Sequence, residues 1–239
     1  MNNTTNSPLV KLSRLSTRNS NPRTERITKF TLHHAAGIMT SQSLLNWGHD
    51  PRCTGSWQYG IGDRIIHQLI CESRRAWTSS SAWNDQRAIT VEMTNSTGRP
   101  TWEISDETWN TTIELAVDCI MRNRGITRRD GTTPGLWFDG TQNGSLTTHD
   151  MFVNTECPGP FVRIRLQQFV QQVNAKIDNL IGTTENQEPS VPLSKPSPEN
   201  PTHIVKPGEN LTIIANQHQT TTNELVRLNN IPNPNLTRI

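Results

Sequence analysis

The chain has 239 residues and a net charge of +2, too weak a balance to indicate a nucleic-acid partner. Only 32% of its residues are hydrophobic and the mean hydropathy is −0.63. This suits one ordinary domain with a small appendage, and no apolar run is long enough to span a membrane.

Residues 1–26 are polar and rich in Ser, Thr, Asn and Arg, and read as an extended N-terminal arm with some order around Pro8 to Leu12. The arm holds no apolar stretch of signal-peptide length. The expectation is a product made in the cytoplasm that needs help to reach anything outside the membrane. The run ITKFTLHH alternates Phe30 and Leu32 with Thr31 and His33, a strand signal, and Gly37 permits a turn after it. TSQSLLNWG predicts a short helix with a Thr or Ser cap. YGIG and DRIIHQLI predict two strands joined by a tight Asp63–Arg64 turn. RAITVEM predicts another, with Ile89, Val91 and Met93 on one face and Ala88, Thr90 and Glu92 on the other.

From Ser105 the period changes: Trp109, Ile113, Ala116, Val117 and Ile120 recur at helical spacing up to Gly125. A further helix follows CPGP, with Leu166, Phe169, Val170, Val173, Ile177 and Leu180 on one side. Strands and helices mixed in this order predict an α/β domain over residues 27–182, with a central mixed β-sheet flanked by helices. Residues 183–201 turn to Pro, Ser, Thr, Glu and Asn and read as a semi-extended linker. A second, smaller unit occupies 202–239.

The four cysteines are Cys53, Cys71, Cys119 and Cys157. Without a secretory signal, a disulfide framework is a poor reading. Cys119 falls in a helical pattern and reads as a buried small hydrophobe. A Cys53–Cys71 pair stays open. Cys157 belongs with His33, at the end of a predicted strand, and with His149, seven intervening residues upstream of it. Two imidazoles and a thiolate can hold zinc in a tetrahedron and leave the fourth position to water, as a catalytic site requires. Glu92 sits mid-strand among apolar neighbours, where an unpartnered carboxylate is unfavourable. His34, adjacent to His33, faces the other way along a strand, and His34, His49, His67, His203 and His218 read as structural or surface histidines.

LHHAAG, SWQYGIG, RAWTSSSAWNDQRAITVEMTN and TTHDMFVNTECPGP, taken in order, resemble the successive motifs of the type 2 N-acetylmuramoyl-L-alanine amidases. That family is shared by phage endolysins and peptidoglycan recognition proteins, and the resemblance runs over roughly residues 7 to 181. It implies hydrolysis of the amide between N-acetylmuramic acid and L-alanine in bacterial peptidoglycan. It implies His33, His149 and Cys157 as Zn2+ ligands and Glu92 as the acidic residue that activates water. Thr155 matches a position held by Lys or Thr in the family, where a Thr can offer only a neutral hydrogen bond. Trp57, not Tyr59, falls where some members have a catalytic Tyr, so Tyr59 is expected to pack. Trp57, Trp77, Trp83, Asn84 and Asp85 are expected to line the groove for the stem peptide.

HIVKPGENLTIIANQHQTTTNELVRLNNIPNP resembles a LysM module, which implies binding of N-acetylglucosamine-containing glycan. The pattern is a strand over HIVKPGE, a helix from Leu211 to His218, and a second helix from Thr222 to Leu228. The strand that usually closes such a module after the NPN turn has no counterpart before Ile239, so a βαα(β) unit incomplete at its C-terminal end is expected. A phage endolysin released by a holin-type membrane-permeabilising partner fits this set. A bacterial autolysin, a wall-binding receptor without catalysis, and a zinc peptidase acting inside the stem peptide stay open as alternatives.

Overall fold

A computed structural model of the chain describes residues 6–185 and, further on, residues 203, 205, 211–218, 220, 222, 225, 226 and 229. The chain divides into two compact units, Met1–Glu188 and Pro189–Ile239. The first is built on a six-stranded sheet in the order β1-β5-β4-β7-β3-β8. Its strands are β1 (Leu12–Ser13), β3 (Lys29–Ile38), β4 (Tyr59–Gly62), β5 (Ile65–Gln68), β7 (Ala88–Asn95) and β8 (Leu146–Thr148). β7 and β8 pair with β3 in parallel, β4 pairs with β7 in parallel, and β4–β5 is an antiparallel hairpin turning at Asp63–Arg64. The sheet is therefore mixed, as the sequence predicts. The arm is not loose: Leu12–Ser13 extends the sheet edge along β5, and β2 (Ser20–Pro22) pairs antiparallel with β6 (Arg74–Ala76).

Alternation along the strands makes two different faces. On one, Phe30, Leu32, Ile61, Ile89, Val91 and Met93 are buried in a single apolar core with the inner faces of two long helices, α3 (Asp106–Arg122) and α5 (Leu166–Glu185). Ser105 caps α3 by accepting from Thr108 N. The other face carries Thr31, His33, Gln58, Thr90 and Glu92. Next to it, α1 (Ser41–His49), capped by Thr40, brings Leu44 and Leu45 into a second apolar cluster with Cys53, Trp57, Leu69, Ile70 and Ala76. All four cysteines are free thiols. Tyr59 is fully buried, donates to Glu72 Oε1 at 2.5 Å and accepts from Ser7 N at 2.9 Å. It packs, and it ties the arm to the domain.

The polar face is satisfied by a short helix absent from the sequence reading, α2 (Ala82–Arg87), capped by Ser81. Asn84 donates to Thr31 Oγ1 at 3.1 Å and accepts from Thr147 Oγ1 at 3.2 Å. Asp85 accepts from the backbone N–H groups of Thr78 and Ser79, each at 3.1 Å, and from Ser79 Oγ at 2.6 Å. Gln58 accepts from Thr90 N at 2.9 Å and Thr90 Oγ1 at 2.6 Å. Buried hydroxyls and amides have to be paired in this way.

In the second unit, α6 (Leu211–Gln217) matches the first helix expected there, with Ile214 and Ala215 buried. His203 Nδ1 and His218 Nε2 lie 3.0 Å apart. Most of the expected strand over HIVKPGE, much of the second helix and the NPN turn fall outside the described residues.

The buried network around Asp85 yields a stability prediction. Asp85→Ala strands the buried Ser79 N–H and hydroxyl and the partly buried Thr78 N–H, and should lower unfolding stability in urea by on the order of 3 kcal/mol, with Asp85→Asn losing less. Equal stability of Asp85→Ala and the parent protein would show that the carboxylate does not hold this face together.

Candidate metal centre and groove

The parallel register of β3 and β7 sets His33 directly opposite Glu92, so both side chains leave the same face of the sheet. Glu92 Oε1 lies 3.9 Å from His33 Nδ1. β8 pairs with β3 as far as Thr148 opposite Leu32. The next residue, His149, opens a 3-10 turn (His149–Met151), which brings its ring to 4.8 Å from that of His33, centroid to centroid. Cys157 arrives from the irregular stretch before α4 (Pro160–Arg163). Its Sγ lies 3.6 Å from His33 Nδ1 and accepts from His34 N at 3.4 Å. Gly159, at φ +85°, leaves no room for a Cβ, which would fall 2.9 Å from the Cβ of Trp102.

One ligand atom from each of His33, His149 and Cys157 lies within 4.8 Å of the others. Tetrahedral zinc asks for separations of about 3.5 Å, given its ordinary bond lengths, so small side-chain rotations suffice. His33 Nε2, His149 Nε2 and Glu92 Oε2 are buried atoms with no hydrogen-bond partner. Such atoms are rare unless something else satisfies them, and a cation among them would do so for the ligand nitrogens. The donor set of two nitrogens and a sulfur suits zinc.

Burial, reinforced by His149 and His34 nearby, pushes the pKa of His33 well below its ordinary value, and burial lowers that of His149 too. Both imidazoles are therefore neutral and offer lone pairs. Burial, with the Glu92 carboxylate adding to it, pushes the Cys157 thiol well above its usual range, so occupancy by a cation has to release its proton. Burial likewise pushes the Glu92 carboxyl up to about 8. A divalent cation beside it acts in the opposite direction.

Glu92 lines a groove of about 210 Å3, whose lining also includes Trp47, Arg52, Trp57, Trp77 and Thr78. Trp47 and Trp77 are 42% and 43% exposed, and Arg52 and Arg75 stack on them. Trp57 is almost buried and donates to His67 Nε2 at 2.9 Å. Of the residues expected in this groove, Trp57 and Trp77 line it. Asn84 and Asp85 do not, because both are buried in the hydrogen bonds described above. Trp83 stacks on Lys29 and Arg87 at the start of β3, four residues before His33. Proximity in sequence to the groove segment placed these three there, and the turn into α2 takes them away. Thr155 lies beside Cys157, its Oγ1 accepting from Cys157 N at 3.3 Å. Trp47 and Arg52 were not foreseen; the available signal was the polar, outward face of the α1 sequence, on which a tryptophan is out of place.

A layered α/β domain thus brings two histidines, a cysteine and a mostly buried carboxylate together on one face of its sheet, with the carboxylate lining an aromatic groove. A family model described as N-acetylmuramoyl-L-alanine amidase matches residues 23–160, more than half of the chain, and one described as LysM domain matches residues 203–237. The chain belongs to the N-acetylmuramoyl-L-alanine amidase family, with a LysM segment towards its C-terminal end.

Among solved structures, PlyL is similar at 16% identity over 68% of this chain and 95% of that one, with a TM-score of 0.52. Staphylococcus aureus hydrolase AmiA in complex with its ligand is similar at 14% identity, over 72% and 84%, with a TM-score of 0.54. The PlyG catalytic domain is similar at 17% identity, over 70% and 94%, with a TM-score of 0.50. These likenesses establish the fold. Comparison with curated protein sequences gives no match. Among the described residues, no helix is long and apolar enough to cross a membrane.

The ring of His67 fills the space over Gly60, where a Cβ would meet it at 2.1 Å. Its Nε2 accepts from Trp57, so Nδ1–H donates to Ser41 Oγ at 2.9 Å. Burial lowers its pKa from 6.5 to about 3. The unfolded chain therefore takes up a proton that the folded chain refuses. Stability is full above pH 6.5 and is lost as pH falls towards the folded value. His67→Gln should flatten the dependence of unfolding free energy on pH between about pH 6 and about pH 4, by roughly 1.4 kcal/mol per pH unit. An unchanged slope would mean that His67 is protonated in the folded protein.

Proposed function

We propose that this protein is a zinc-dependent amidase that hydrolyses the bond between N-acetylmuramic acid and L-alanine in bacterial peptidoglycan. The observation that carries the reading is the convergence of His33, His149 and Cys157, with Glu92 beside His33 and lining an open groove. Family membership supports the same chemistry.

His33, His149 and Cys157 would hold zinc, which when bound supplies a Lewis acid that polarises a carbonyl and eases deprotonation of water. Glu92 takes the proton of the attacking water. The carboxyl then holds that proton in a site where burial favours its neutral form, and delivers it to the departing L-alanine amine. Trp47, Trp57 and Trp77 exclude water from the groove and grip the chain on either side of the bond. The Thr155 hydroxyl, which accepts from the Cys157 amide, would offer a neutral hydrogen bond to the reacting carbonyl. The LysM segment would bind N-acetylglucosamine-containing glycan and hold the catalytic domain at high local concentration on its polymer.

Defined muropeptides distinguish this reading from its rivals. The full chain should release a free L-alanine amine from intact muramic acid, lose that activity with a chelator and regain it with zinc. Cleavage within the stem peptide, or tight binding without products, would overturn it. Glu92→Gln should retain about one zinc per chain while turnover drops by roughly 100-fold or more; near-normal turnover in a zinc-loaded Glu92→Gln protein would remove Glu92 from the mechanism.

A further inference from the structure

The His149 turn and the Cys157 loop are held to each other largely by one side chain. Arg163, in α4, donates Nε–H to Asp150 Oδ2 at 2.5 Å and Nη2–H to the carbonyls of Thr155 and Glu156 at 3.1 and 2.9 Å. Asp150 Oδ1 accepts from Thr148 Oγ1 at 2.5 Å. Thr148 ends β8, opposite Leu32 and beside His33. A continuous path therefore runs from the sheet, through Asp150 and Arg163, to the two peptide groups that immediately precede Cys157. The remaining ties of this loop include Gly159 N to Glu156 O at 2.7 Å, Cys157 N to Thr155 Oγ1, His34 N to Cys157 Sγ at 3.4 Å, and the Glu156 carboxylate to Arg99 at 3.0 Å and to Trp102 Nε1 at 3.4 Å. None of these reaches the His149 turn.

Magnitudes indicate what the bridge is for. The Arg163 and Asp150 side chains are 37% and 25% exposed. An ion pair so placed contributes at most about 1 kcal/mol to folding. Its geometry is more demanding: a planar guanidinium meets a carboxylate and two carbonyls with donors held on separate nitrogens in fixed directions, an arrangement the single nitrogen of an ammonium does not reproduce. We propose that Asp150 and Arg163 are positioning residues that set the separation of His149 from Cys157, and through it the affinity of the cluster for a divalent cation. This rests on the metal reading of the site given above.

The test measures zinc affinity of the full chain by competition with a chromogenic chelator, together with the melting temperature of the metal-free protein. Arg163→Gln and Asp150→Asn should each weaken zinc binding about 10- to 100-fold, while the metal-free melting temperature moves by only a few degrees. The double variant should be little worse than either single one, because both act on one path. Arg163→Lys should recover only part of the loss. In the cobalt-loaded protein, the thiolate-to-cobalt absorption should weaken in the same order. Zinc affinity within about twofold of the parent in both single variants would overturn the positioning role and leave the metal reading standing. Failure of the parent chain to bind zinc or cobalt at all would overturn both. Should Arg163→Gln not fold, Asp150→Asn carries the same comparison.

Discussion

The register between β3 and β7 is the constraint on which the rest of the structure depends. A shift of one residue would send His33 into the apolar core and leave Leu32 opposite Glu92 on the polar face. The apolar set of Phe30, Leu32, Ile89, Val91 and Met93 opposes that shift, because each is buried against α3 and α5. The site is thus aligned by residues that take no part in its chemistry. β8 extends the same logic. Its three residues pair with β3, and the strand ends where His149 has to leave the sheet plane.

A sheet face that carries a site cannot also be packed with apolar side chains, and this accounts for the domain's second layer. Thr31, Thr90 and Thr147 lie on the site's face, towards the start of the strands, and would be unsatisfied under a greasy cover. α2 and the segment before it meet them with Asn84, Asp85, Thr78 and Ser79. The polar layer ends where Glu92 and His33 begin, and there the hydrogen bonding stops too: their outer atoms have no protein partner.

Much of this was legible in the sequence. Alternation in RAITVEM gives both faces of β7, a Thr or Ser cap marks α1, and apolar residues at helical spacing mark α3 and α5. His33, His149, Cys157 and Glu92 are singled out by residue type and motif order, since their convergence depends on contacts between β3, β7 and the segment after β8, far apart in sequence. β1, β2, β6 and β8 were not foreseen. At two or three residues they are too short to show a period, and they exist because a neighbouring strand offers an edge. Asn84 and Asp85 were misplaced for a related reason. A polar side chain in a loop-like segment looks the same in sequence whether it faces a substrate or a buried threonine.

The unsatisfied atoms also bear on how the fold and its cation depend on each other. An unpaired buried polar atom costs about 1–3 kcal/mol, and His33 Nε2, His149 Nε2 and Glu92 Oε2 are three of them within one small volume. Domains of this size are stable by only about 5–15 kcal/mol in total, so the cluster is a substantial load on the metal-free fold. That load is carried by the apolar core on the other side of the sheet. A cation that satisfies the two imidazoles and draws the proton from Cys157 would relieve it, and its binding free energy would add to folding stability as well as to catalysis. Because neutral histidines and a protonated thiol are what burial favours, the site gains most where pH is high enough for that proton to leave.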